Sequence, residues 1–202
     1  LSGMFGDMFS HGGSSAGWST SESAGNRKGS DVMADLTISF EEAVFGCEKE
    51  IMLRDPATGK TSNLSIHAPA GIESGKPIRL KGQGNPGRNG GPAGDVLLKV
   101  NVTPSKEFER KGQNVYSTVR VPFTTAALGG KARVHTLYGN VECSIKAGTQ
   151  AGSKIRLRGK GVPSWRNKDV RGDHYVTLVV ETPDKLKPEA KELLKQFDAL
   201  TG

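Results

Sequence analysis

Ala70 to Pro86 reads AGIESGKPIRLKGQGNP, and Ala147 to Pro163 reads AGTQAGSKIRLRGKGVP, an offset of 77 positions. Two copies this alike within a chain of 202 residues mean that one structural unit occurs twice. Downstream, Gly94-Asp95 returns as Gly172-Asp173, and each pair opens an apolar run, VLLKVNV in the first copy and HYVTLVV in the second. Both runs stop at Thr-Pro. Upstream, ISFEEAVFG ending at Gly46 parallels VPFTTAALG ending at Gly129, with Phe40 matched to Phe123 and Ala43 to Ala126. The front offset is 83, so the first copy carries six more residues in its middle.

Each copy reads as the same series of short elements. Leu36 and Ile38 alternate with Asp35 and Thr37 as a strand half-buried on one face. Ser39-x-x-Glu42 fits a capping box opening a short helix, which Gly46 is expected to stop in the left-handed conformation. A hairpin follows, with arms CEKEIML and SNLSIHA about the turn Asp55 to Gly59 in the first copy, and KARVHTL and NVECSIK about Tyr138 to Asn140 in the second. The strands IRLKGQG or IRLRGKG and the apolar run close the unit. The expected fold is mainly β: two tandem, internally repeated small β-sandwich domains, at 34–104 and 105–183, then a short C-terminal helix within 184–202.

The tail supplies that helix. PEAKELLKQFDALTG puts Pro188 at a helix start, where a missing N–H costs nothing, and sets Ala190, Leu193, Leu194, Phe197 and Leu200 along one face. So short a helix needs a cover for that stripe, either its own domain or a second chain. At the other end, residues 1–33 are Gly- and Ser-rich, with Met4, Phe5, Met8, Phe9 and Trp18 scattered without period, and read as a disordered linker whose apolar residues are solvated or serve as weak stickers.

Composition agrees. Only 35% of residues are hydrophobic, while 27 glycines and 10 prolines favour many short strands and turns. No apolar run is long enough for a membrane span, and the opening LSGMFGDMF lacks the basic-then-apolar order of a secretory signal, so a soluble cytoplasmic chain is expected. Cys47 and Cys143 are far apart and read as reduced thiols. The net charge of +7 is concentrated between residues 105 and 183, which hold fourteen Lys and Arg against six Asp and Glu. Such a block attracts acidic peptide or nucleic acid before it specifies either.

No catalytic constellation is visible. His11, His67, His135 and His174 are scattered without metal-ligand spacing, and no GxSxG elbow or Walker-type loop occurs. No enzyme activity, metal or cofactor is expected. The glycines of GQGNPGRNGGPAG precede a strand and not a helix N-terminus, so they read as loop glycines and not as a phosphate cradle. The RGD at 171–173 aligns with Gly94-Asp95 of the other copy, which makes it a turn of the repeat.

ISFEEAVFG, APAGIESGKPIRLKGQGNPGRNGGPAGDVLLKV, GQNVYSTVRVPFTTAALGGKARVHTLYG, GSKIRLRGKGVP and RGDHYVTLVVETP together resemble the two C-terminal β-domains of the DnaJ family of co-chaperones, over about residues 34–202. The Gly-rich head is similar to the end of the family's Gly/Phe linker. Two departures matter. No His-Pro-Asp tripeptide occurs, so these residues are expected not to stimulate a partner ATPase, and the hairpin RDPATGKTSNL stands where zinc-binding members insert a cysteine-rich module. The likeness is to the zinc-free branch that includes curved-DNA-binding relatives.

The resemblance implies a binding protein for unfolded client polypeptides that works with a DnaK-class chaperone. Its groove would lie in the first domain, floored by Ala34, Leu36, Ile51, Leu53 and Leu98; the competing reading is that these five only fill the core. An exposed strand edge above alternate apolar pockets suits extended chains of any sequence. Lys49 matches a family lysine that meets the partner chaperone's acidic tail, though Glu48 and Glu50 flank it. Leu193, Leu194, Phe197 and Leu200 would close a homodimer. The alternative function is nucleic-acid (curved DNA) binding by the basic second domain, through residues such as Lys154, Arg156, Arg158, Lys160, Arg166, Lys168 and Arg171.

Overall fold

The computed structural model describes residues 26–54, 59, 61–167 and 169–201. The scattered aromatics of the head, most of the Asp55–Gly59 turn and Lys168 lie outside them. Both copies fold as expected into small sandwiches. In the first, β1 (Val32–Ile38), β5 (Val96–Val102) and β4 (Pro77–Leu80) form a sheet in the order β1-β5-β4, which faces the hairpin of β2 (Cys47–Arg54) and β3 (Thr61–Ala68). In the second, β10 (Lys154–Leu157), β11 (His174–Glu181), β7 (Asn114–Pro122) and β6 (Glu109–Lys111) form a sheet in that order, opposite β8 (Gly130–Thr136) and β9 (Gly139–Ile145). β1 pairs with β5 and β7 with β11 in parallel, Ala34 beside Leu98 and Ser117 beside Val176. Leu36, Ile38, Leu64, Ile66, Leu98 and Val100 build the first core; Val121, Ala132, Ile145 and Leu178 contribute to the second.

The repeated IRL-x-G and Gly-Asp pieces are two halves of one clasp. The Asp95 carboxylate accepts the Gly82 N–H at 2.8 Å and two bonds from the Arg79 guanidinium, and it takes the Lys28 ammonium at 3.1 Å. Asp173 does the same with Gly159 N–H at 2.9 Å and Arg156 Nε at 2.7 Å. These donors, the backbone N–H first, hold both carboxyls below the usual carboxylate range. The glycines beside them allow strand-like contact between loops: a Cβ on Gly84 would lie 2.6 Å from the Gly94 carbonyl carbon, and one on Gly161 2.5 Å from that of Gly172. They are loop glycines, as read.

The capping box forms. Ser39 Oγ accepts the Glu42 N–H at 3.1 Å and Glu42 Oε2 the Ser39 N–H at 2.7 Å, opening α1 (Phe40–Phe45). Gly46 ends it differently from expectation: φ is 81° but ψ is 157°, an extended glycine-only conformation and not the left-handed helical one. This turns the chain directly into β2. The matching α2 (Phe123–Leu128) starts at Pro122 without a side-chain cap. Phe40 and Val44 of α1 pack with Phe108, Val115 and Val162, joining the two units, and Arg110 donates to the carbonyls of Gly71 and Ile72 at 2.7 Å each across the same junction.

The linker boundary needs correction. Residues 26–33 are folded onto the first unit: Arg27 bridges to Arg88, Gly29 N–H bonds Pro92 O at 2.9 Å, and Val32 and Met33 already belong to β1. The sequence signal failed because Gly and Ser there serve close packing; a Cβ on Gly29 would sit 1.8 Å from Asn85 O. The helical tail is α3 (Pro188–Thr201), whose residues are none of them buried. Among the described residues, no helix is long and apolar enough to cross a membrane.

Candidate functional site

Among the described residues, β1 ends the first sheet and β2 pairs only with β3, so each presents a free edge. The two edges face one another: Lys49 of β2 donates to the Thr37 carbonyl of β1 at 3.3 Å, closing one end of the cleft. Along the floor the five expected residues separate into two depths. Leu36 (3% exposed) and Leu98 (0%) lie within the core, whereas Ala34, Ile51 and Leu53 are half-buried and pack against it from the open end. The resemblance implied all five as floor; the three shallow ones are the more accessible. Met33 and Met52 stand at 81% and 76% exposure on the opposite parity of the same strands. Sequence reading passed over them because they point away from the core.

Lys49 is occupied. Its ammonium lies 2.9 Å from Glu42 Oε2, and this hydrogen bond, followed by the Ser39 N–H, holds the Glu42 carboxyl below its ordinary range. A carboxylate arriving from another chain must compete with Glu42. Burial pushes the Cys47 and Cys143 thiols up, and both are free. Among the described residues, no three or more His, Cys, Asp or Glu are placed to hold a metal ion.

The second unit has a matching cleft between β7 and β8, with changed chemistry. Ser117 replaces Ala34 and His174 replaces Val96, and Ser117 Oγ lies 2.7 Å from His174 Nε2. The His174 ring is fully buried, its Nδ1 has no partner, and burial lowers its pKa. On the outer face of β8, Lys131 and Arg133 stand where β2 has Glu48 and Glu50. The concave surface here holds about 950 Å³ and runs from Ser105 past Tyr116–Arg120 to Arg133 and Lys154.

On α3, Leu193, Leu194, Phe197 and Leu200 are 65%, 38%, 47% and 86% exposed. Among the described residues, the stripe's ring contact is Phe197 edge-on to Phe123 of α2 at 6.3 Å. Leu128 of α2, 80% exposed, extends the apolar surface.

Residues 32–183 match the family model described as DnaJ C terminal domain. The chain is 48% identical to the chaperone protein DnaJ of Lachnospira eligens over 140 residues, which is 69% of this chain and 37% of that protein. It is also 48% identical to that of Streptococcus agalactiae over 143 residues, 71% of the chain and 38% of the relative. With the Clostridium perfringens protein of the same name it shares 34% identity over 269 positions, covering 99% of the chain and 69% of the relative. That alignment exceeds the chain's 202 residues, so the clostridial protein holds a stretch without counterpart here. The chain spans little more than a third of the first two relatives. With most of its length matched, and with the paired sandwiches that length builds, the chain belongs to the DnaJ C-terminal domain family.

Proposed function

We propose that this chain is the client-holding part of a co-chaperone: it binds extended, apolar segments of unfolded polypeptides in the first cleft and dimerises through α3, for delivery to a DnaK-class chaperone in a reducing cytoplasm. The observation that carries the reading is the pair of free edges, β1 and β2, above half-buried Ala34, Ile51 and Leu53. Unpaired N–H and C=O groups bind any extended backbone, while the apolar floor selects hydrophobic side chains. Sequence-blind pairing with apolar preference is what a holder of unfolded chains requires.

The exposed stripe on α3 supports the dimer. Covered by the same stripe of a second copy, it forms an isologous contact, and two weak clefts on one particle hold a long client more tightly than either alone. The short β2–β3 connection supports a first domain without an inserted zinc module.

The test is suppression of aggregation of a denaturant-unfolded model protein. The intact chain is expected to suppress it and to sediment as a dimer at micromolar concentration. Leu53→Asp places an unpartnered carboxylate at the floor and should cost about tenfold or more in affinity for an apolar peptide while the fold survives. Failure to suppress aggregation, or unfolding in step with lost binding, contradicts the groove; a monomer contradicts the dimer.

A further inference from the structure

The second cleft keeps the edges of the first and inverts its charge. β6 covers the outer edge of β7 only at Asn114–Tyr116, which leaves the edge from Ser117 onward unpaired by any strand of the described residues, among which β8 pairs only with β9. The lysine that closes one end of the first cleft is replaced by Ala132, so the Arg120 carbonyl, matched to that of Thr37, receives no such bond. Around this cleft the carboxylates are already engaged: Glu107 with His135 at 2.8 Å and Glu109 with Lys111 at 3.1 Å. Arg120 pairs with Glu181 at 3.2 Å. Lys106, Arg133 and Lys154 line the same surface, exposed, and have no acidic partner among the described residues.

Three cations without an ion-pair partner on one concave surface, together with two strand edges, select a ligand that is both extended and anionic. We propose that the β7–β8 cleft binds acidic, extended segments of the unfolded client, complementing the apolar cleft of the first unit. The inference rests on the client-holding reading above. Polypeptide fits better than nucleic acid on two counts. Strand edges offer amide pairing that a phosphate chain cannot return. Tyr116 and Tyr175 are stacked on each other at 5.3 Å, so neither ring is open on both faces to receive a base. Client carboxylates, spaced at alternate residues along a strand, reach the cations while the backbone pairs with the edge.

A fluorescence-anisotropy titration of the full chain tests this, using three labelled probes of equal length: a Glu-rich peptide, an apolar peptide and a single-stranded oligonucleotide. The Glu-rich peptide should saturate and weaken with salt. Arg133→Glu with Lys154→Glu should weaken it roughly tenfold and leave the apolar peptide unchanged. Lys185→Glu with Lys187→Glu makes the same change of net charge on the exposed approach to α3 and should have no effect. Leu53→Asp should do the reverse, weakening the apolar peptide alone. The inference is overturned if the Glu-rich peptide does not saturate, if both double variants weaken it equally, or if the oligonucleotide binds more tightly and is the probe lost with Arg133 and Lys154. Loss of the acidic arm with apolar binding intact removes this inference only; absence of both removes the client-holding reading as well.

Discussion

The two units share a backbone plan and differ in what they place on it. At the base of its first cleft the chain has Ala34 and Val96, and at the base of the second Ser117 and His174; outside β2 it has Glu48 and Glu50, outside β8 Lys131 and Arg133. The elements retained in both copies are those that make the fold: the Asp95 and Asp173 clasps, the loop glycines beside them, and the inward alternation of the hairpins. The scaffold is shared, and divergence falls on cleft and solvent positions as well as on core residues, Leu98 standing where the second unit has Val176. One fold thus carries two differently charged surfaces.

The largest difference between the units should come from their cores. Leu98→Ala removes a fully buried side chain beside Ala34 and should cost about 2–5 kcal/mol in a urea titration. The matched Val176→Ala removes less volume and should cost about 2 kcal/mol. Equal losses would mean that the two cores are not equivalent in packing. Because Leu98 is core, its loss is a stability effect, whereas Leu53→Asp should act on binding.

A smaller effect separates the clefts by pH. Folding buries the His174 ring and lowers its pKa, so below about pH 6.5 the unfolded chain takes up a proton that the folded chain resists. Stability at this site is therefore full above that pH and falls as pH drops toward the lowered value, by at most about 1.4 kcal/mol per pH unit. Ser117→Ala with His174→Val gives the second unit the residues of the first and should flatten that part of the profile. An unchanged slope would assign it to other groups.

The capping difference should be the smallest. Ser39→Ala removes the cap of α1 and should lower stability by about 1 kcal/mol, whereas α2 has no side-chain cap to lose. Thermal melts of Ser39→Ala and of Pro122→Ala compare the two ends directly; a larger loss at Pro122 would show that proline rigidity outweighs the capping box.

Much of this was legible from the repeat. Aligning the copies located the hairpins, the IRL strands, both short helices and the Gly-Asp turns, because each has a local signature in residue spacing or turn chemistry. The parallel pairing of β1 with β5, joining strands more than fifty residues apart, has no local signature. Nor does depth: alternation put Leu36 and Ala34 on one face, but which of them lies under the second sheet depends on where β2 and β3 end. His174 read as one scattered histidine, since nothing in HYVTLVV shows that its first residue sits beneath Phe108. Lys49 could be matched to a role but not to Glu42, seven residues away across a helix end.

Amide hydrogen exchange of the intact chain, with and without a saturating extended apolar peptide, tests the central claim most directly. An added strand in the first cleft should protect amides on the free edges of β1 and β2 and leave β8 unchanged. Bound peptide without protection on either edge, or with protection confined to the second unit, would contradict it.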